Sequence, residues 1–387
     1  MECDRKIVLG KSVMKQDNYK TDVFFELLRA GLWEKDVELQ KYGTTDFTEI
    51  MRLAEEQSVV GLITAGLEHV MDIKVPQEWT LQFIGSTLQI EQQNKRLNQF
   101  LSECVEKMRM AGIYTLLVKG QGVALCYEKP LWRASGDIDF YMSEENFVKS
   151  KTFYKPLVSK FDPDNDYTRH INMIYGDWVV EIHANQHTSL SKRIDGVLDD
   201  IHRDLFFVGN VRSVNIGSVQ VFMPSVVNDV LIVFTHFLKH FYKGGLGLRQ
   251  ICDWCRLLWT YRDKLDRKSL ETRIKQMGLL SEWRAFGAFA IDILGMPEES
   301  MPLYEDEYKW RKKAQHIKNF VMMSGNFGHN RDSSYYGKYP LIIRKVISFG
   351  RRCNDFIYHA RVFPLDSFKF LLGFTFIGLK SALRGEA

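Results

Sequence analysis

From about residue 19 to residue 110, apolar positions recur every three or four residues, the period of helices with one face on a core. Residues 47–54 and 59–67 predict two such helices, and a longer one starts near Pro76, a residue suited to a helix start. Its apolar face runs through Leu97, Leu101, Cys104, Val105 and Met108, and Gly112 ends it. The period then shortens. Residues 113–118 are β-branched and apolar and predict a buried strand, followed by Lys119-Gly120-Gln121-Gly122 and a short helix over 123–127. A second strand is predicted over 137–142, with Ser143 capping a helix that carries Glu144 and Glu145 in its first turn. Asp162-Pro163-Asp164-Asn165-Asp166 is turn chemistry. Runs 169–175 and 178–184 flank Gly176-Asp177, a two-residue hairpin loop. Two more strands are expected at 211–216 and 218–222, and after Pro224 the pattern is helical again. The fold class is therefore α+β: a small mixed sheet flanked by N-terminal and C-terminal helical regions.

Composition narrows the class. At 387 residues, with 45% hydrophobic and 13% aromatic side chains, the chain can bury a substantial core. A net charge of only +4 argues against a general nucleic-acid binder. Residues 1–17 lack the apolar run of a signal peptide. The six cysteines (Cys3, Cys104, Cys126, Cys252, Cys255, Cys353) are scattered, which suits a reduced, cytoplasmic setting.

The candidate chemistry lies in Ser135-Gly136-Asp137-Ile138-Asp139. Side chains alternate along a strand, so Asp137 and Asp139 share a face. Two such charges about 4 Å apart repel by roughly 4 kcal/mol at an effective dielectric near 20. Exposure, protonation of one acid or a shared cation relieves the repulsion, and the last makes a magnesium site. In Val179-Val180-Glu181-Ile182-His183, Val180 and Ile182 face the core, leaving Glu181 and His183 on the other face. If that strand lies beside Asp137/Asp139, three carboxylates converge and two Mg2+ ions can clamp a nucleotide, with Glu181 as base or second-metal ligand. Lys119 and the Gly120 amide would then face the phosphates, and Arg133 could neutralise charge on them.

Leu116-Leu117-Val118-Lys119-Gly120, with Leu131-Trp132-Arg133-Ala134-Ser135-Gly136-Asp137-Ile138-Asp139, resembles the signature of an uncharacterised nucleotidyltransferase family in the polymerase-β-like superfamily, often found in bacterial surface-polysaccharide gene clusters. Arg169-His170 and Val180-Glu181-Ile182-His183 look like its later element, and the likeness continues through His236, His240, Arg249 and Asp253. The resemblance spans about residues 19–258. It implies a polymerase-β-like core, Asp137, Asp139 and Glu181 as the catalytic, metal-binding acids, and nucleotide contacts from Lys119, Gly120, Arg133, His170, His183, Arg249 and Asp253. One departure is visible: Gln121, not Ser or Thr, follows Gly120, so a hydroxyl contact to the triphosphate is missing.

Other features have plainer readings. His236 and His240, four apart, suit a structural or phosphate-contacting role, and Arg249 and Asp253 could pair across one turn. Cys252-x-x-Cys255 reads as buried free thiols. Trp132 and Tyr141 could stack on a base but suit the core. The tail from 339 to 387 is basic and aromatic, with Arg344, Lys345, Arg351, Arg352, Arg361, Lys369, Lys380 and Arg384. Its apolar run at 370–379 is too short to span a membrane; it would lie on a membrane surface, meet a protein partner, or simply cover the core.

The expected organisation is an N-terminal helical region (1–110), a nucleotidyltransferase core (111–222), a helical domain lining the cleft (223–338) and the tail (339–387). The expected activity is Mg2+-dependent transfer of NMP from an NTP to an acceptor hydroxyl of a saccharide, tRNA or protein. The rivals are a degenerate binder of nucleotide or sugar-phosphate and a toxin-like enzyme that nucleotidylates tRNA or protein.

Overall fold

The computed structural model describes residues 21–162, 169–328 and 338–383. Cys3, the segment 1–17, Pro163–Asp166 of the expected turn and Arg384 lie outside them.

A helix over residues 21–33 (α1) is followed by α2 (Phe47–Glu56), α3 (Val60–Glu68) and the 34-residue α4 (Gln77–Met110). Gly112, at φ +68°, turns the chain out of α4. Strand β1 (Leu116–Val118) begins three residues later than the apolar run suggests. The next helix, α5 (Gly120–Ala124), starts directly after Lys119, three residues earlier than the predicted 123–127. Lys119 and Gly120 both have positive φ, +57° and +41°, so the chain bends sharply from strand into helix and needs no intervening loop.

Strands β2 (Asp137–Tyr141), β4 (His170–Tyr175), β5 (Trp178–His183), β6 (Val211–Ile216) and β7 (Val219–Pro224) match the predicted runs to within two residues, and the Ser143 hydroxyl caps α6 (Glu144–Tyr154). A two-residue edge strand, β3 (Lys160–Phe161), is additional. All seven form one mixed sheet in the order β3-β4-β5-β2-β1-β7-β6. Strand β2 runs antiparallel to β1 and parallel to β5, pairing Asp139 with Glu181.

Alternation divides the sheet into two faces. Leu117, Ile138, Phe140, Val180 and Ile182 point to a core shared with Leu97, Leu101 and Met108 of α4 and Phe147 of α6. Leu116, Val118 and Tyr141 look the other way, into a larger core that joins α1 to the helices beyond the sheet. Those are α7 (Lys192–Arg203), α8 (Val226–Lys243), α9 (Leu248–Thr260), α10 (Arg267–Met277), α11 (Leu280–Ala288) and α12 (Tyr308–Ser324). Asp137, Asp139, Glu181 and His183 lie on this second face, where α8 and α9 stand off and leave a cleft.

The tail forms helices Leu341–Ala360 and Pro364–Leu383. Phe356, Phe363 and Phe370 are buried against Phe241 and Tyr242 of α8, and His359 meets the Phe241 carbonyl at 3.0 Å, so the tail covers the core. Its other face exposes Val346, Ile357, Leu365 and Phe368. Among the described residues, no helix is long and apolar enough to cross a membrane.

Candidate active site

The cleft between sheet and helices encloses about 280 Å³ and is lined by all ten residues singled out from the sequence: Lys119, Gly120, Arg133, Asp137, Asp139, His170, Glu181, His183, Arg249 and Asp253. Parallel pairing of β2 with β5 sets the Asp139 and Glu181 backbones side by side, and antiparallel pairing of β4 with β5 sets His170 opposite His183. The three acids and two imidazoles thus share a sheet face because of register alone.

Each charge has a specific environment. Asp139 is 4% exposed and receives Lys119 Nζ at 2.7 Å and His183 Nε2 at 3.0 Å on the same oxygen, Oδ1. Burial opposes its ionisation, but the ammonium and the imidazole outweigh that and hold its pKa below the usual carboxylate range. Glu181 is likewise held low against burial, by His170 at 3.1 Å and His183 at 3.4 Å. Asp137 goes the other way: burial first, then the charges of Asp139 and Glu181, push its pKa up. No hydrogen bond or ion pair reaches its carboxylate from the described residues. Lys119 keeps its proton despite burial because Asp139 and Glu181 stand beside it. Its ammonium lies in the acid cluster, bonded to Asp139 Oδ1.

The helical wall is basic. Lys119 Nζ lies 3.4 Å from His236 Nδ1, and His236 Nε2 lies 3.2 Å from His240 Nε2. Burial and neighbouring cations lower the pKa of both histidines, that of His240 to about 3, so both are neutral at neutral pH. An ammonium can only donate, so His236 accepts at Nδ1 and donates from Nε2 to His240. The protons are ordered along Asp139, Lys119, His236 and His240. Lys239, on the same helix face, also lines the cleft, and burial with repulsion from Lys119 lowers its pKa. Among the described residues its ammonium has no hydrogen-bond or ion-pair partner. Lys239 and the Asn185–Thr188 segment are cleft residues the sequence reading missed. Lys239 sits at i+3 from His236, a spacing that could have revealed it.

Arg133 and Asp253 form a buried pair: Arg133 Nε and Nη2 donate to Asp253 Oδ1 and Oδ2, each at 2.7 Å, and Tyr127 OH adds a bond at 2.7 Å. Asp253 thus binds across the cleft to the loop before β2, not simply along its own helix, and Arg133's charge is matched by protein. Arg249 Nη1 donates to the Ala134 carbonyl at 2.7 Å, fixing the same loop. Gln121, at the position where a hydroxyl is missing, is buried and bonds Asn98 at 2.7 Å and Ser135 at 2.8 Å. It ties α5 to α4 and to the loop. Tyr141 is buried with its hydroxyl on His202 at 2.8 Å, and Trp132 carries Lys129 over its ring at 4.2 Å; neither lines the cleft. Cys252 and Cys255 are buried free thiols whose pKa values burial raises.

A family model described as an uncharacterised nucleotidyltransferase matches residues 43–294, from the residues before α2 to the end of α11 and beyond. The chain belongs to that nucleotidyltransferase family. The match takes in the whole sheet, α8 and α9, and so every residue of the cleft. No curated protein and no solved structure matches the chain. Membership supports nucleotidyl transfer in general.

The histidine wall has a pH consequence. His240 binds a proton in the unfolded chain below about pH 6.5 but in the folded protein only near pH 3, so stability falls as pH drops through that window. Between pH 7.5 and 5.5 this group contributes about 1 kcal/mol of loss. Urea midpoints at those two pH values should separate more in wild type than in His240→Gln; equal separations would contradict the assignment.

Proposed function

We propose that this protein transfers NMP from an NTP to an acceptor hydroxyl, with two Mg2+ ions held by Asp137, Asp139 and Glu181 on a polymerase-β-like core at about residues 111–222. The helices within 21–110, 223–328 and 338–383 frame that core. The observation that carries the reading is the register of β2 with β5, which gathers three carboxylates opposite the basic face of α8.

The donor set fits the ion. Mg2+ prefers carboxylate oxygens, and Asp137, buried beside two like charges that Lys119 and Arg249 only partly offset, gains from a cation at its oxygens. When bound, Mg2+ supplies neutralisation of phosphate charge and activation of a hydroxyl. The protein's own groups do the positioning. Lys119 holds Asp139 ionised and aimed into the cleft. Lys239, the unpaired ammonium across the cleft, takes the β- and γ-phosphates, a role that the absent hydroxyl after Gly120 leaves open. His236 and His240 present neutral ring edges beside it. The acceptor oxygen bonds to the α-phosphorus, the bond to the α–β bridging oxygen breaks, and pyrophosphate leaves. The acceptor proton goes to a carboxylate of the trio. Arg133 and Asp253 neutralise each other and keep the loop in place, a structural contribution to nucleotide binding.

A second reading, binding without turnover, is favoured by one observation: Gln121 spends its amide on Asn98 and Ser135. The readings separate in a pyrophosphate-release assay across saccharide, tRNA and protein acceptors. Transfer predicts Mg2+-dependent release that falls by about 10²–10³-fold in Asp137→Asn and Asp139→Asn. NTP binding with no release from wild type would leave only the binding reading.

Lys239→Met should weaken NTP binding by about tenfold, the worth of one charge-assisted contact, while binding of the free nucleoside stays unchanged. Equal losses for nucleotide and nucleoside, measured by calorimetry, would remove Lys239 from the phosphate site.

A further inference from the structure

The sheet side of the cleft carries two kinds of donor. Asp137 and Asp139 offer only oxygen. Beside them on β4 and β5, His170, Glu181 and His183 offer two imidazole nitrogens and one carboxylate, their ligand atoms all within 4.8 Å of one another. The spacing follows from the backbone: His170 and His183 are directly opposed across β4 and β5, and Glu181 precedes His183 by two residues on the same face. The two rings stack with centroids 4.5 Å apart and planes 21° from parallel, so both present Nε2 to one atom, Glu181 Oε2, at 3.1 and 3.4 Å.

Those separations match the edge of a coordination polyhedron. Metal–nitrogen bonds of about 2.0–2.1 Å in tetrahedral geometry put neighbouring donors about 3.3–3.4 Å apart. His170 Nε2 sits on Glu181 Oε2, and His183 Nε2 lies between Glu181 Oε2 at 3.4 Å and Asp139 Oδ1 at 3.0 Å. All three side chains are only partly buried and open to the cleft, so an ion can reach them.

We propose that His170, Glu181 and His183 form a site for a borderline divalent ion of the Zn2+ or Co2+ class, beside the all-oxygen position at Asp137 and Asp139. The two cation positions of the cleft are then chemically unlike. Imidazole donors suit late first-row ions and are poor partners for Mg2+, which holds to oxygen and water. Three protein ligands leave coordination positions open towards the cleft, as catalytic His₂-carboxylate sites do. Asp139 connects the two positions, because His183 Nε2 lies 3.0 Å from its Oδ1. This deepens the metal-dependent reading above by giving the second cation position, at Glu181, to that ion in place of a second Mg2+, and a binding measurement lets the two fail separately.

The test titrates Co2+, then Zn2+, into chelator-treated full-length protein, reading visible absorption and heat. One Co2+ per chain is expected, with the strong visible bands of four- or five-coordination and no displacement by equimolar Mg2+. His170→Ala and His183→Ala should each weaken binding by more than about 100-fold, beyond the loss typical of an outer partner of a ligand. Asp137→Asn should leave it within a few-fold. X-ray absorption on the zinc-loaded wild type, which needs no variant to fold, should show two imidazoles at the metal. Co2+ binding that survives both histidine substitutions, a zinc shell without imidazole, or no Co2+ binding at all would overturn the proposal. If Mg2+-dependent pyrophosphate release persists in any of those cases, the nucleotidyl-transfer reading stands and only the second metal position is lost.

Discussion

Like charge forced onto one sheet face is the constraint around which this cleft is built. Pairing β2 with β5 in parallel sets Asp139 beside Glu181, with Asp137 two residues away on the same face. A sheet that buries Ile138, Phe140, Val180 and Ile182 below has no freedom to turn those acids elsewhere, since slipping either strand by one residue would expose the core. The protein answers with Lys119 on Asp139 and two imidazoles on Glu181. It leaves Asp137 with burial and repulsion only partly offset.

Rigid polar contacts hold the opposite wall at a working distance. Arg133 and Asp253 link the loop before β2 to α9, Arg249 clamps the same loop by its carbonyl, and Gln121 joins it to α4 through α5. Removing one partner of such a buried pair strands a charge, at a typical cost of 3–5 kcal/mol. These contacts explain how a helical layer can face the acids across open space without collapsing onto them. On α8, His236 and His240 are bonded in series from Lys119, while Lys239 faces the cleft.

Much of this was legible in the sequence, and for identifiable reasons. Alternation in Val179–His183 and in Asp137–Tyr141 gave both strand faces, because one side of each must be apolar. The Gly176-Asp177 loop gave the hairpin, and Ser143 the helix cap. What escaped was whatever depends on the third dimension. The short helix at Gly120–Ala124 starts early because Lys119 and Gly120 adopt positive φ, which composition does not announce. Arg133 looked available for phosphate until packing brought Asp253 to it from 120 residues away. Lys239 joins the cleft only through the placement of α8 over the acids. Convergence of His170 and His183 on a single oxygen needed the β4–β5 register.

The most direct test of the central claim is a crystal structure of the protein with Mg2+ and a non-hydrolysable NTP. The account predicts the α-phosphate beside Asp137, Asp139 and Glu181, with the β- and γ-phosphates on Lys239 across the cleft. A nucleotide bound away from the three acids, or a cleft that excludes it, would contradict the account.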